Sequence, residues 1–340
     1  IKINYNNEDP TFMRQDLYGD ILNAIGCPTI QSVKTRVYVN NQPVGYYILQ
    51  EEAASNSFIR SAFYGDNNGK YLVTKTKDLG YSLDGQTGSD FYYDSSNIYN
   101  YKIPDTANND NRARLTKFLK AFEKLNYKNN NEVQQFEKDW FDIETFLRAM
   151  AMEYLTAHYD SYWFFTSNFV LYDNPKESKN GKYKYYFIDQ DWDGTFGLNA
   201  DSYCLRYPDY IRRSYKDYVN MKWGESGDSP KRFAIDTLLS NDQIKKRFEK
   251  ILTDIVIKIF NPVVIGKRLD ALVERHREEV KWNYNVIDSR KLRKGNPVLR
   301  WSMTNFEKNI EGTSHGAEYG IKQFVYLRAK AIKKEFGINV

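Results

Sequence analysis

Cysteine is nearly absent from this chain of 340 residues: Cys27 and Cys204 are the two it has. Two are too few for a disulfide scaffold or a zinc site, and the sequence leaves open whether they pair. Histidine is almost as scarce. His158, His276 and His315 are scattered without metal-ligand spacing, which argues against zinc catalysis. No stretch of eighteen apolar residues occurs, so no membrane-spanning helix is expected. Charge of one sign is not concentrated either. Forty-nine basic residues face 44 acidic ones for a net charge of +5, without the basic run that marks a nucleic-acid arm. No internal repeat and no N-x-S/T sequon are present. Ile1 is not an initiator methionine, so the chain reads as a processed or excised piece from which any signal peptide is gone.

Aromatic residues are plentiful: 28 Tyr, 20 Phe and 6 Trp. They reconcile a low mean hydropathy of -0.70 with a real core, because tyrosine buries a large ring while its hydroxyl stays hydrogen-bonded. The length suits one large bilobal unit or two modest domains.

The opening "IKINY" alternates like a strand. "DPTFMRQDLYGDILNAIG" predicts a helix, with Asp9 as N-cap, Pro10 at its first position and Gly26 as its stop. "SVKTRVYVNNQPVGYYILQEE" predicts a hairpin whose loop is "NNQPVG". Residues 65–111 are rich in Gly, Asn, Asp, Ser and Tyr and are expected to form irregular, partly extended surface structure. Helices are expected from "RARLTKFLKAFEKL" and from "DIETFLRAMAMEYLTAHY". In the second, Ile143, Phe146, Leu147, Met150, Ala151, Tyr154 and Leu155 recur at helical spacing behind a natural N-cap, Asp142. "PKESKNGK" is a turn before the strand "KYKYYFI", and three further helical segments close the chain. The expected class is therefore α+β, with a small β-rich part holding one helix and a larger, mainly helical part.

The stretch "FIDQDWDGTFG" carries D-x-D-x-D-G in Asp189, Asp191, Asp193 and Gly194. An EF-hand calcium loop begins this way, but it needs a glutamate at position twelve, which here is Ala200, and a helix before it rather than a strand. Two readings remain: an Asp-rich turn without a ligand, or a divalent-metal site that serves a substrate. Upstream, a long helix ends, a loop presents Asp160, and Asn168 follows. That order fits phosphoryl transfer. One carboxylate, Asp160, orients and deprotonates the attacking hydroxyl, while an amide and a second carboxylate, Asn168 and Asp191, hold magnesium. The protein-kinase pattern H-R-D-x-x-x-x-N followed by D-F-G has the same logic. Asp193 is either a second metal ligand or a brace, and His158 is expected to pack and hydrogen-bond rather than catalyse.

"DPTFMRQDLYGDILNAIG", "RVYVNNQPVGYYILQEE", "YDSYWFFTSNFVLY" and "FIDQDWDGTFG" together resemble the CotH family of spore-coat-type proteins. The resemblance implies one bilobal domain with a protein-kinase-like fold over 1–340: an N-lobe-like part at 1–64, an insertion at 65–111 and a helical C-lobe at 112–340. It implies an atypical Ser/Thr kinase, secreted or at the cell surface, that uses ATP with Mg2+ or Mn2+. Asp160 is then the catalytic aspartate, Asn168 and Asp191 the metal ligands, and Asp193 their second partner. No glycine-rich phosphate loop is visible. Lys2 on the first strand is the candidate phosphate-pairing lysine, and Arg14 reaches phosphate from the helix as the alternative. Gln15 or Asp16 stands where a salt-bridging glutamate is expected. Ser161 replaces a frequent glycine, and Asp160 and Asn168 are eight apart where ordinary kinases have five.

The partner implied is a protein substrate, or a surface or cellulosomal assembly. The Asn, Tyr and Lys usage resembles that of anaerobic gut fungi, in which similar modules accompany cellulosome dockerins. A kinase-shaped module used only for binding or coat assembly is the alternative, with a calcium-stabilised carbohydrate-binding module as a third reading.

Overall fold

In a computed structural model of the chain, β1 (Lys2–Asn4), β2 (Ser32–Val39) and β3 (Gln42–Gln50) form an antiparallel sheet in the order β1-β3-β2. The structure describes residues 1–5, 8–66, 68–103, 110–200, 207, 209–218, 232–289, 301–314 and 316–339. Cys204 and His315 lie outside the described residues, and with Cys204 the question of a Cys27 bridge.

The helix expected from residue 9 begins later, as α1 (Arg14–Ala24). Phe12 takes the left-handed backbone conformation, which ends any helix at that point. Asp9 nevertheless behaves as a cap from outside the helix. Its carboxylate accepts from the backbone amides of Thr11 and Arg14, both at 2.9 Å. Gly26 stops α1 with φ +75° as expected. The β2–β3 turn is tighter than the six-residue loop read from the sequence. Asn40 and Asn41 both adopt positive φ, the two-residue type I′ geometry, so β3 already starts at Gln42.

The second sheet holds β4 (Tyr81–Gly85), β5 (Tyr101–Lys102), β6 (Phe169–Lys179) and β7 (Lys182–Asp189) in the order β5-β4-β6-β7. Asn180 and Gly181 make its central turn. The helices that follow α1 are α2 (Asn56–Tyr64), α3 (Asp110–Glu123), α4 (Asn130–Asp139), α5 (Ile143–Thr156), α6 (Tyr162–Phe165), α7 (Tyr215–Tyr218), α8 (Phe233–Leu239), α9 (Asp242–Lys258), α10 (Pro262–Asp288), α11 (Met303–Glu311) and α12 (Ile321–Phe336). The class is α+β. No helix among the described residues is long and apolar enough to cross a membrane.

Residues 65–111 are not the surface loop their composition suggests. They supply β4 and β5, and they bury Leu83, Phe91 and Tyr101. Phe91 stacks on Phe169 at 5.7 Å and meets Phe118, Phe141, Phe146 and Tyr162 edge-on or tilted. Aromatic burial of this kind has no periodicity to betray it. α5, expected to be amphipathic, is buried along nearly its whole length, since it runs between β7 and α9. The long helix α10 returns to the first sheet. Asn283 accepts from the amide of Tyr46 at 2.7 Å, and the Tyr284 hydroxyl donates to the carbonyl of Pro10 at 2.6 Å.

Candidate active site

Register assembles the site. Phe169 at the start of β6 pairs with Asp189 at the end of β7, and the amide of Gln190 donates to the carbonyl of Asn168 at 3.1 Å. Asn168 and Asp191 therefore emerge side by side from one end of a hairpin. Both adopt positive φ, 53° and 64°, a conformation that Asn and Asp tolerate better than other side-chain-bearing residues. From the loop between α5 and α6, Asp160 meets them. The Asn168 amide nitrogen donates to the Asp160 carboxylate at 2.7 Å and to its carbonyl at 2.8 Å. With Nδ2 so engaged, Oδ1 is the atom Asn168 has left to offer.

Carboxylates crowd here. Burial, and after it the charges of Asp191 and Glu8, push Asp160 up to about 6 against the opposing hydrogen bond from Asn168. Burial and then Asp191 and Glu8 push Asp193 up to about 8. Glu8 is itself raised by burial and by Asp191, and accepts from the amide of Asn199. The amine of Lys2 stands 3.9 Å from Asp191. Carboxyls raised first by burial and then by one another's charge are short of positive charge, and the amide and carboxylate oxygens here are the donors a hard divalent ion takes. Among the described residues, however, no set of three His, Cys, Asp or Glu side chains is arranged to hold a metal by itself.

The three aspartates of D-x-D-x-D-G do not converge. Asp189 points inward and accepts from the Tyr18 hydroxyl, and burial lifts its carboxyl to about 7. Beside it Glu153, also buried, is raised well above the carboxylate range and accepts from the amide of Trp163 at 2.7 Å. Gly194 has a packing reason, because a Cβ there would overlap the ring of Tyr159. His158 holds the strap from below. Its Nε2 lies 3.0 Å from the carbonyl of Asp191, and a carbonyl can only accept, so Nε2 carries the proton. Burial lowers its pKa to about 3, and the ring stays neutral.

A cleft of about 240 Å³ opens beside this cluster. Lys2, Asn168 and Asp191 line one part of it, and Ile30 with Gln50 to Ala53 at the end of β3 line another. Lys2 is thus in the cleft. Arg14 is not among its lining residues. It is fully buried and donates to Asp9 at 2.6 Å and to the carbonyls of Thr195 and Tyr319 at 3.0 Å each. That makes it a brace between α1, the strap after Asp193 and the segment before α12. Asp16 pairs with Lys34 on β2, whereas Gln15 turns inward and donates to Gln50. Sequence reasoning missed Glu8 and Asn199. Nothing near Glu8 pointed to it beyond its place before Asp9-Pro10, since its partners Asp160, Asp191 and Asn199 lie far along the chain.

A family model described as "CotH kinase protein" matches residues 1–331. Among curated proteins, the chain is similar to "Invasin CotH2" of Rhizopus delemar, with 31% identity over 350 residues that take in all of this chain and 55% of the relative. It is 32% identical over 355 residues to "Invasin CotH3" of the same organism, covering all of this chain and 54% of that protein. It is 28% identical to its "Spore coat protein homolog 1" over 340 residues, 98% of this chain and 51% of the relative. The chain thus spans about half the length of these curated relatives.

Proposed function

The chain belongs to the CotH kinase protein family, and from that premise we propose that it transfers the γ-phosphate of ATP to Ser or Thr hydroxyls of a protein substrate with a divalent cation, Mg2+ or Mn2+. One observation carries the reading: a single amide, Asn168, fixes the carboxylate of Asp160 and itself lines the cleft in which Asp191 stands near the amine of Lys2, although Asp160 is behind Asn168 rather than among the lining residues. Asp160 orients the incoming hydroxyl and takes its proton, and a carboxyl held near 6 suits that task at neutral pH. Asn168 through Oδ1 and Asp191 would hold the cation, with Asp193 behind them. When bound, the cation neutralises the phosphate oxygens and fixes them for in-line attack. Lys2 supplies the remaining positive charge to the phosphate tail. Residues 1–64 act as the smaller lobe, 112–340 as the larger and 65–111 as the piece between them.

Transfer of labelled phosphate from ATP to a generic acceptor, with Mg2+ or Mn2+, tests the proposal. Activity should fall at least a hundredfold in Asp160→Asn, and a variant as active as the parent removes Asp160 from its role.

The names of the relatives, invasin and spore coat protein homolog, favour a second reading and a surface or extracellular setting. In it, the same fold serves as a binding module in adhesion, coat or cellulosome assembly. A chain whose melting temperature does not respond to ATP with either cation belongs to this second class.

A further inference from the structure

The cleft has two chemically different ends. Lys2, Asn168 and Asp191 offer charge and metal-binding oxygens. The end of β3 offers the buried apolar side chains of Ile30 and Ala53 and the buried amide of Gln50, while Glu51 and Glu52 add carboxylates and Asp84, Gln86 and Gln190 complete a mainly polar lining. Two buried apolar side chains beside a buried amide suit one edge of a flat heterocycle that carries hydrogen-bonding groups. Gln50 is also the register partner of Lys2, so the two side chains leave the same face of the sheet as neighbours.

Gln50 does not stand alone. The amide nitrogen of Gln15 on α1 donates to its Oε1, and both side chains are buried. The Oε1 of Gln15 has no hydrogen-bond partner. Among the described residues the Nε2 of Gln50 makes no hydrogen bond, and Gln50 lines the cleft. A primary amide is nearly symmetric in shape, with a donor on one side and an acceptor on the other. If both amides turn over together, the link between them is remade with the donor and acceptor exchanged. The buried, unpartnered atom of Gln15 changes from oxygen to nitrogen, and the atom Gln50 offers the cleft changes from donor to acceptor. No ionised partner holds the pair in one orientation, as a carboxylate at position 15 would.

Resting on the phosphotransferase reading above, we propose that the Gln15–Gln50 amide pair makes the cleft tolerant of the purine 6-position, so that it takes both adenosine and guanosine triphosphates. The 6-amino group of adenine donates and the 6-oxo group of guanine accepts. Each is met by one of the two orientations.

The test measures the shift in melting temperature of the full chain with ATP and, separately, GTP, each with Mn2+, titrated to give apparent Kd values. Values within about threefold of each other are expected. Protection by ATP alone overturns the tolerance and leaves the phosphotransferase reading standing, whereas protection by GTP alone overturns both the tolerance and the choice of ATP as donor. Protection by neither overturns both. Gln15→Glu then assigns the cause. An acceptor-only group behind Gln50 draws its nitrogen inward and presents its oxygen to the cleft, so the ratio of ATP to GTP affinity should rise at least tenfold. Gln50→Glu presents an acceptor directly and should move the ratio the same way, which keeps the test alive should the first variant not fold. An unchanged ratio in a folded variant removes the pair from nucleotide choice.

Discussion

At Asp191 the backbone is left-handed, with φ 64°, and this sets which substitutions are informative. Alanine would strain the turn, whereas asparagine tolerates it. Asp191→Asn should keep the melting temperature within about 2 °C while abolishing its rise with ATP and Mg2+, as thermal unfolding with and without nucleotide will read out. On the proposed reading, in which Asp160 is the base, its carboxyl sets an acid limb. As pH falls through about 6 it takes up a proton and ceases to act as a base, so the rate at saturating ATP should fall there, and the limb should move to lower pH as bound cation favours the ionised form. The same shifts bear on stability with a definite sign. Asp160 and Asp193 have folded-state pKa values raised from 3.8 to about 6 and about 8. They therefore favour the folded state at low pH and progressively disfavour it as pH rises through those values. Without divalent cations the melting temperature should drop as pH rises from about 4 to 8, the Asp160 part by about pH 6 and the Asp193 part by about pH 8, and millimolar Mn2+ should reduce the drop. That Asp160 and Asn168 come together was legible in the sequence because their order and residue types are specific as a pair. Asp191 was singled out from its neighbours by that same order, but the inward turn of Asp189 at the end of β7, toward Tyr18, was not readable, because its partner lies on α1.

At the scale of elements, the strap after β7 is held by close approach as well as by the hydrogen bonds from His158 and Arg14. Gly194 lies against the ring of Tyr159, and Gly19 on α1 approaches Trp192, where a Cβ would sit 3.1 Å from the indole. Gly194→Ala should cost about 1–3 kcal/mol by overpacking. Combining it with Tyr159→Ala should recover part of that loss, a non-additivity that a double-mutant cycle in urea will measure. Hairpins were readable where asparagine and glycine mark turns, at Asn40-Asn41 and Asn180-Gly181. The start of α1 was misread because Pro10 and Asp9 imitate a helix opening that Phe12 interrupts.

Across the whole molecule, Arg14 ties distant parts of the chain. One guanidinium serves Asp9, the strap at Thr195 and the carbonyl of Tyr319. Arg14→Met keeps volume but leaves Asp9 buried without its counter-charge, and should destabilise the fold by about 3–5 kcal/mol in denaturant unfolding. The loss should appear equally in probes from either sheet if the chain unfolds as one cooperative unit. Neither this brace nor the role of 65–111 as core could be read beforehand. Each depends on contacts between segments far apart in sequence, whose local patterns carry no trace of the partner.

The left-handed turn at Asp191 has an evolutionary corollary. Few residues live comfortably in that conformation, and aspartate and asparagine codons differ by a single nucleotide. On the proposed phosphotransferase reading, one point mutation would therefore remove a cation ligand and leave a sound scaffold, so a catalytic and a purely binding form of this fold would stand one base change apart.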